Sequence, residues 1–292
     1  MTLRHLNIFI CVCELLNMTK TAEKLKMTQP AVSQAIAELE DYYNVKLFER
    51  LGRKIYLTTA GKKLFSYALH AVSFNNEMFE KMREFSDVFT LRIGASITVG
   101  SSVLLSILHD INIKYPNNKV FSIIDNTTKL EKMLLEDKID IALVEGNIKS
   151  DYLNIKEFMD DELVVIVSKN HNLANCQSVD KNELSQEKFF VREVGSGTRE
   201  LFEKVMNENN ISWFLAGEFN NAEAIKQAVN NGLGISVISK LAVEKEVESG
   251  MLKIITIPQL NFKRKFNVVY HKNKYLSESL KEIVFLTENL QL

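Results

Sequence analysis

The stretch TAEKLKMTQPAVSQAIAELE, Thr21 to Glu40, holds a proline in a run that otherwise favours helix. Inside a helix a proline removes a hydrogen bond and clashes with the preceding turn. In the first turn its missing N–H has no intrahelical acceptor to lose. Thr28 supplies a hydroxyl of the kind that caps a helix N-terminus. Pro30 therefore marks the start of a new helix after a tight turn.

Working outward, Leu6, Phe9, Ile10, Cys13 and Leu16 recur at three and four and place an amphipathic helix over Leu3 to Leu16. A second helix, capped by Asn17 or Thr19, carries Ala22, Leu25 and Lys26 and ends near Met27. The helix after the turn buries Val32, Ile36 and Leu39 and shows Gln29, Ser33, Gln34 and Ala37 on its other face. Two short helices joined tightly, the second presenting small polar side chains near its start, suit entry into a DNA major groove. Glutamine pairs bidentately with an adenine edge, and serine contacts either a base edge or a phosphate. NVKLFERLGRKIYLTTAG, residues 44–61, reads as a two-stranded wing that offers Lys46, Arg50, Arg53 and Lys54 to phosphates. Residues 1–63 carry ten Lys and Arg against six Asp and Glu, a modest positive excess. A helical hairpin that packs against another element would show the same pattern.

The run TKTAEKLKMTQPAVSQAIAELEDYYNVKLFERLGRKIYLTTAGKKL resembles the N-terminal winged helix-turn-helix of LysR-type transcriptional regulators, without a gap and with TQPAVSQ, LFER and LTTAG in place. It departs from the family pattern at Thr21, where alanine is usual, and at Gln34 and Ala37, where basic residues are common. The resemblance implies a DNA-binding set of Thr28, Gln29, Pro30, Ser33, Gln34, Arg50, Arg53 and Lys54.

From Ala60 to Phe85 there is no proline, and Leu64, Ala68, Ala71, Asn75, Met78, Met82 and Phe85 alternate at four and three. That spacing is a heptad seam with one polar position, Asn75, and Phe65, Leu69, Val72 and Phe79 widen it. No other element lies nearby in sequence to cover it, so the stripe reads as a dimerisation helix through Leu64, Ala68, Ala71, Asn75, Met78 and Met82. The family implies the same, with a tetramer as its usual assembly.

After Thr90 the period changes. TLRIGAS, KVFSIID, IDIALVEG, ELVVIVS, KFFVRE and LGISVIS are short β-rich runs separated mostly by helical stretches, the pattern of a parallel sheet with helices on its faces. In such sheets ligands lie beyond the carboxyl ends of strands, at helix N-termini. Three stretches qualify: GASITVGSS with Ser96 and Thr98, DNTTKLE with Asn126 and Thr127, and REVGSGTRE with Gly195, Ser196, Gly197 and Thr198. In the last, two glycines let successive N–H groups converge on an anion, and two hydroxyls cap the following helix. An ordinary glycine turn with a threonine cap reads equally well from the residues alone. The GSGTR stretch and NNAEAIKQAVNNGLGISVIS resemble the LysR subgroup of sulfur-assimilation and carbon-fixation regulators, which implies an oxyanion or carboxylate effector. Glu145 would repel such a ligand unless it pairs with Arg199 or with a cationic part of the effector.

The expected fold is an α+β multidomain chain: a winged helix-turn-helix over 1–58, a linker helix over 59–89, and a two-lobed α/β effector domain over 90–292 that resembles a periplasmic binding protein. Lobe I spans 90–161 and 265–292, lobe II spans 162–264, and the crossovers fall near Asp160–Glu162 and Phe262–Arg264.

The totals agree with a cytoplasmic regulator. The 292 residues suffice for two or three domains, 46% hydrophobic and 25% charged content is that of a globular chain, and three prolines argue against long linkers. Cys11, Cys13 and Cys176 are badly spaced for disulfides, and the five histidines form no ligand pair. No metal, cofactor or catalytic residue is expected, and no nucleophile elbow is present. A solute-binding protein, or an α/β-cleft enzyme with an accessory winged helix, is the alternative. Neither predicts salt-sensitive binding to duplex DNA.

Overall fold

Short helices bury one face each against the others, and a strand pair closes the first part of the chain. The computed structural model describes residues 1–51, 54–83, 90–117 and 119–290, and for residues 50, 51 and 80–83 the backbone alone. Arg53 and Phe85, and the side chains of Arg50 and Met82, lie outside the described residues. Contacts divide the chain into two units: Met1–Ser86 with Asn273–Tyr275, and Asp87–Lys272 with Leu276–Leu292.

The first unit runs α1 (Leu3–Leu15), α2 (Met18–Leu25), α3 (Gln29–Tyr43), β1 (Phe48–Leu51), β2 (Lys54–Leu57) and α4 (Thr59–Arg83). Asn17, not Thr19, caps α2, its side-chain oxygen accepting from the Lys20 N–H at 3.0 Å. The helix ends at Leu25 because Lys26 turns left-handed at φ 52°. Thr28 caps α3 by accepting from the Ala31 N–H at 3.4 Å, and Pro30 lies in the first turn. Val32, Ala35, Ile36 and Leu39 of α3 are buried against Leu6, Phe9 and Val12 of α1 and Ala22 of α2. Burying each large apolar side chain there contributes about 1.5–3 kcal/mol. Thr21, the departure from alanine, is buried and satisfied, its hydroxyl donating to the Asn17 carbonyl at 2.8 Å.

The wing is tied down by a carboxylate. Glu40 accepts from the N–H groups of Leu47 (2.8 Å) and Phe48 (3.2 Å) and from the Lys46 ammonium (2.6 Å). Burial alone would raise this carboxyl, but those donors outweigh it and hold Glu40 below the usual glutamate range. Thr58 then donates to the Lys46 carbonyl at 2.7 Å and accepts from the Gly61 N–H at 2.9 Å, so it fastens the wing and opens α4. The LTTAG motif is thus a structural joint.

The stripe on α4 has two fates. Leu64, Phe65, Ala68 and Val72 pack into the core formed with α1, which corrects the expectation that no neighbouring element covers this helix. The reason is the long loop through the wing, which returns the chain onto α1. Farther along, Ala71 is exposed, Asn75 half-buried, and Tyr67, Phe74, Met78 and Phe79 are exposed apolar side chains.

The second unit runs β3 (Thr90–Ala95), α5 (Ile97–Ser102), α6 (Leu104–Lys114), β4 (Lys119–Ile124), α7 (Thr127–Leu135), β5 (Ile141–Glu145) and β6 (Leu153–Ser168). It continues through β7 (Lys188–Arg192), α8 (Gly197–Glu208), β8 (Phe214–Phe219), α9 (Ala222–Asn230), β9 (Ile235–Ser239), α10 (Glu244–Glu248), β10 (Leu252–Ile255), β11 (Lys263–His271) and α11 (Glu278–Glu288). Nine strands among the described residues join in the order β4-β3-β5-β11-β6-β9-β7-β8, with β10 on β6.

This is a mixed sheet, not a wholly parallel one. β4, β3 and β5 are parallel, as are β8, β7 and β9, while β6 and β11 run antiparallel to their neighbours. Helix-linked strands give the parallel parts, and the two strands that pass between lobes need no covering crossover helix. β6 changes partner where it passes: Glu162 faces Lys263 of β11, and Leu163 faces Ser239 of β9. Strands β8, β10 and β11 and the first half of β6 were not legible as strands in the sequence. Each lobe has its own core, one around Ile93, Ile107 and Phe266 and another around Phe189, Phe202 and Val237.

Candidate functional site

On α3 the apolar stripe faces inward, so Gln29, Pro30 and Gln34 are exposed and Ser33 half-buried. The Gln29 amide donates to the Ser33 hydroxyl at 2.7 Å, one turn apart. Gln34 donates to Glu38 at 2.9 Å, and His5 lies 2.8 Å from the same carboxylate. Thr28 is exposed at the helix start, and Lys54 is exposed on β2. The structure thus brings Thr28, Gln29, Pro30, Ser33 and Gln34 onto one face of one helix.

In the second unit the three polar stretches lie at the carboxyl ends of β3, β4 and β7 and meet around Glu145 at the end of β5, where the lobes touch. Ser96 Oγ accepts from the Glu145 N–H at 3.3 Å, and Thr127 donates to the Glu145 carbonyl at 2.6 Å. Asn126 caps α7 through the Lys129 N–H at 3.0 Å. These three side chains shape the loop ends. Thr98 donates to the Glu145 carboxylate at 3.3 Å.

From the other lobe, Gly195 takes φ +91°, a left-handed turn that favours glycine, and its carbonyl accepts from the Thr128 N–H at 3.2 Å. Gly197 has a different need: a β-carbon there would stand 2.3 Å from the Glu145 carbonyl oxygen. The glycine pair therefore serves a turn and a close approach between lobes. The expected capping role of the hydroxyls is corrected. Ser196 holds the N-cap backbone position of α8 without a side-chain cap bond. Thr198 lies inside the helix and accepts from the Arg264 guanidinium at 3.0 Å, because that stronger donor faces it.

Arg264 is the residue that sequence reasoning missed. Its Nε donates to Asp161 at 2.6 Å, and Asp161 accepts from Ser239 at 2.7 Å, both deep in the crossover. The signal was available: Phe262 just before β11, and Arg264 and Phe266 on it, alternate, and the phenylalanines are buried, so the arginine between them faces inward too. An open cleft of about 420 Å3, lined by residues that include Asp161, Lys240, Leu241 and Arg264, lies beside it.

Glu145 does not pair with Arg199, which is engaged by Glu203 at 2.7 Å and by Glu218. Burial pushes the Glu145 carboxyl above the usual glutamate range, and the charges of Arg264 and Arg192 offset that only in part. Arg192 itself is held by Glu193 at 2.8 Å.

Both halves of the chain match known proteins. Residues 3–62 match the bacterial regulatory helix-turn-helix protein of the lysR family, and residues 88–290 match the LysR substrate binding domain. The chain belongs to the LysR family of bacterial transcriptional regulators.

Among curated LysR-type relatives, the chain is 32% identical over 280 residues to the RuBisCO operon transcriptional regulator of Allochromatium vinosum, covering 94% of this chain and 92% of that one. It is 30% identical over 283 residues to the uncharacterized regulator YeiE of Escherichia coli K12, covering 97% and 96%. A similar solved structure is the Synechocystis PCC6803 CcmR regulatory domain in complex with 2-PG, at TM-score 0.65 and 27% identity over 69% of this chain and 96% of that one. A full-length OxyR variant of Pseudomonas aeruginosa shares the fold, at TM-score 0.67 and 18% identity over 99% and 98%. As a LysR-type regulator the protein is a DNA-binding transcription factor with an effector-binding domain and not an enzyme. Among the described residues no helix is long and apolar enough to cross a membrane.

Proposed function

We propose that this LysR-type regulator couples a small anionic metabolite to promoter geometry. Residues 1–58 form the DNA-binding domain, 59–89 the linker helix, and 90–292 the effector domain, with lobe I over 90–161 and 265–292 and lobe II over 162–264. α3 enters the major groove, where Gln29 and Ser33 meet base edges beside Thr28, Pro30 and Gln34, and Arg50, Arg53 and Lys54 hold phosphates. Two copies pair through the exposed face of α4, and a tetramer is the working assembly. The effector carries an oxyanion or carboxylate that lies between Thr98 on one lobe and Ser196 and Thr198 on the other. Ser96, Asn126, Thr127, Gly195 and Gly197 shape the walls.

One observation carries the effector reading: Arg264, its side chain 6% exposed, presents a buried guanidinium at the hydroxyl-rich junction. Asp161 already matches the charge of Arg264, and the guanidinium nitrogen that neither Asp161 nor Thr198 engages, Nη2, is a buried donor that an oxyanion or carboxylate oxygen would satisfy. The 2-PG bound to the regulatory domain of CcmR supports the same class. Binding would favour one lobe arrangement, and through the oligomer one spacing of DNA-binding domains. The test pairs two measurements on the full chain. Small oxyanions and carboxylates should raise the melting temperature, and the ones that do should alter salt-sensitive binding to promoter DNA. If none does either, the effector reading fails.

A further inference from the structure

Three buried polar atoms around Gly197 have no hydrogen-bond partner among the described residues: Glu145 Oε2, Ser196 Oγ and Arg264 Nη2. Glu145 and Ser196 are each 1% exposed. Their grouping follows from contacts already described. Gly197 abuts the Glu145 carbonyl, Ser196 precedes it, and Thr198 after it holds Arg264. A buried polar atom left unsatisfied costs about 1–3 kcal/mol, and three at one junction between lobes describe a ligand's outline. The outline is mixed in sign. Arg264 can only donate, Ser196 does either, and ionised Glu145 can only accept.

A fully deprotonated oxyanion satisfies Arg264 but places a second negative oxygen against Glu145. Two such groups in a dry site cannot both be ionised at little cost. The charged groups facing Glu145 do not remove the conflict. Arg264 on β11 is bonded to Asp161 on β6, and Arg192 on β7 to Glu193, so each cation is already matched. From α5 the Thr98 hydroxyl serves Glu145 Oε1, which leaves Oε2 for the ligand.

We propose that Glu145 makes this junction selective for oxyanions that bring their own proton: the carboxyl and the bound ligand share one hydrogen between them. The class is a small oxyanion with an O–H group, of which hydrogen phosphate is the simplest probe. This rests on the oxyanion reading of the junction given above and adds the protonation state that it selects. A site built to receive a ligand hydroxyl rejects a twin lacking it by large factors, because its acceptor is left buried and unpaired.

Hydrogen phosphate and sulfate are tetrahedral dianions of closely similar size at pH 8, and they differ by one proton. Isothermal titration of the full-length protein at pH 8 should show phosphate bound at least about a hundredfold more tightly than sulfate. Lowering the pH should strengthen sulfate binding, with uptake of one proton. In Glu145→Gln, whose amide donates, sulfate should bind as well as phosphate and without proton uptake. Equal affinity of the unaltered protein for both dianions at pH 8 would overturn the proton rule and leave the oxyanion reading standing. Failure of both dianions to bind at pH 6 and pH 8 would overturn the proton rule, while the melting screen against carboxylates and other oxyanions decides the effector reading separately. The comparison within the unaltered protein depends on no variant's folding.

Discussion

Gly146 and Gly197 meet backbone to backbone, so closely that a β-carbon on Gly146 would stand 2.6 Å from the Gly197 Cα. One glycine ends the strand of the first lobe and the other opens the helix of the second, so the lobes touch without intervening side chains. Contact this close cannot absorb an added methyl group by rotamer changes, because the opposing atoms are main chain.

Gly197→Ala should therefore destabilise the effector domain by about 1–3 kcal/mol, the usual cost of overpacking. For a domain of this size that lowers the melting temperature by roughly 2–4 °C per kcal/mol. The DNA-binding domain should melt as before. Unchanged melting of the effector domain would mean that the lobes do not meet in this way in solution.

Glu145 gives a pH dependence of definite sign. Its carboxyl is pushed above the ordinary value of 4.5, first by burial and only partly drawn back by Arg264 and Arg192. A raised acid contributes stability that is complete below its unfolded value and is lost as pH rises through its folded one. Glutamine imitates the neutral form. Glu145→Gln should thus match the unaltered protein near pH 4.5 and exceed it increasingly towards pH 8, by about 1.4 kcal/mol for each pKa unit between folded and unfolded states. Denaturant unfolding at the two pH values checks this, and a variant less stable than its parent at pH 8 would contradict it.

How far the sequence could be read depends on what each residue answers to. α3 was legible because a cap, a first-turn proline and a stripe at three and four are local signals, and local structure followed them. β11 was not, since the same alternation that buries Phe262 and Phe266 also buries Arg264, and a charged residue there reads as surface. Glu145 was visible as a problem but not its surroundings. Which cation faces a carboxylate is set by residues 47 and 119 positions away in the chain, and no spacing rule reaches so far. Glycines at 195 and 197 looked like a cradle for an anion, whereas one serves a left-handed turn and the other a contact between lobes.

In the DNA-binding domain the bond between Gln29 and Ser33 holds both side chains on one exposed line. Gln29→Ala should cost about 1–3 kcal/mol on the cognate site and relax preference at one base pair. Arg53→Ala should instead weaken cognate and random duplexes alike and shallow the dependence on salt. Fluorescence anisotropy across a salt series separates these effects. An unchanged ratio of cognate to random affinity in Gln29→Ala would remove its base-reading role.

The two fates of the α4 stripe lead to opposite outcomes for the same substitution three residues apart. Ala68 is 1% exposed and packs with Leu64, Phe65 and Val72 on the core that includes Phe9 and Leu39. A glutamate there buries an unpaired charge in an apolar core, which costs several kcal/mol and should unfold the domain even in a monomer. Ala71 is exposed within the single chain, on the stretch that carries Tyr67, Phe74, Met78 and Phe79. Singly exposed apolar residues need no explanation, but several along one helix face indicate a partner surface. If that face pairs two copies, Ala71→Glu places like charges in a dry interface, so the protein should become monomeric while each monomer keeps its circular dichroism. Light scattering and thermal melting on the two variants distinguish the cases. Ala71→Glu with an unchanged oligomer would exclude this face as the dimer contact, and Ala68→Glu with an unchanged melt would place the helix differently against α1.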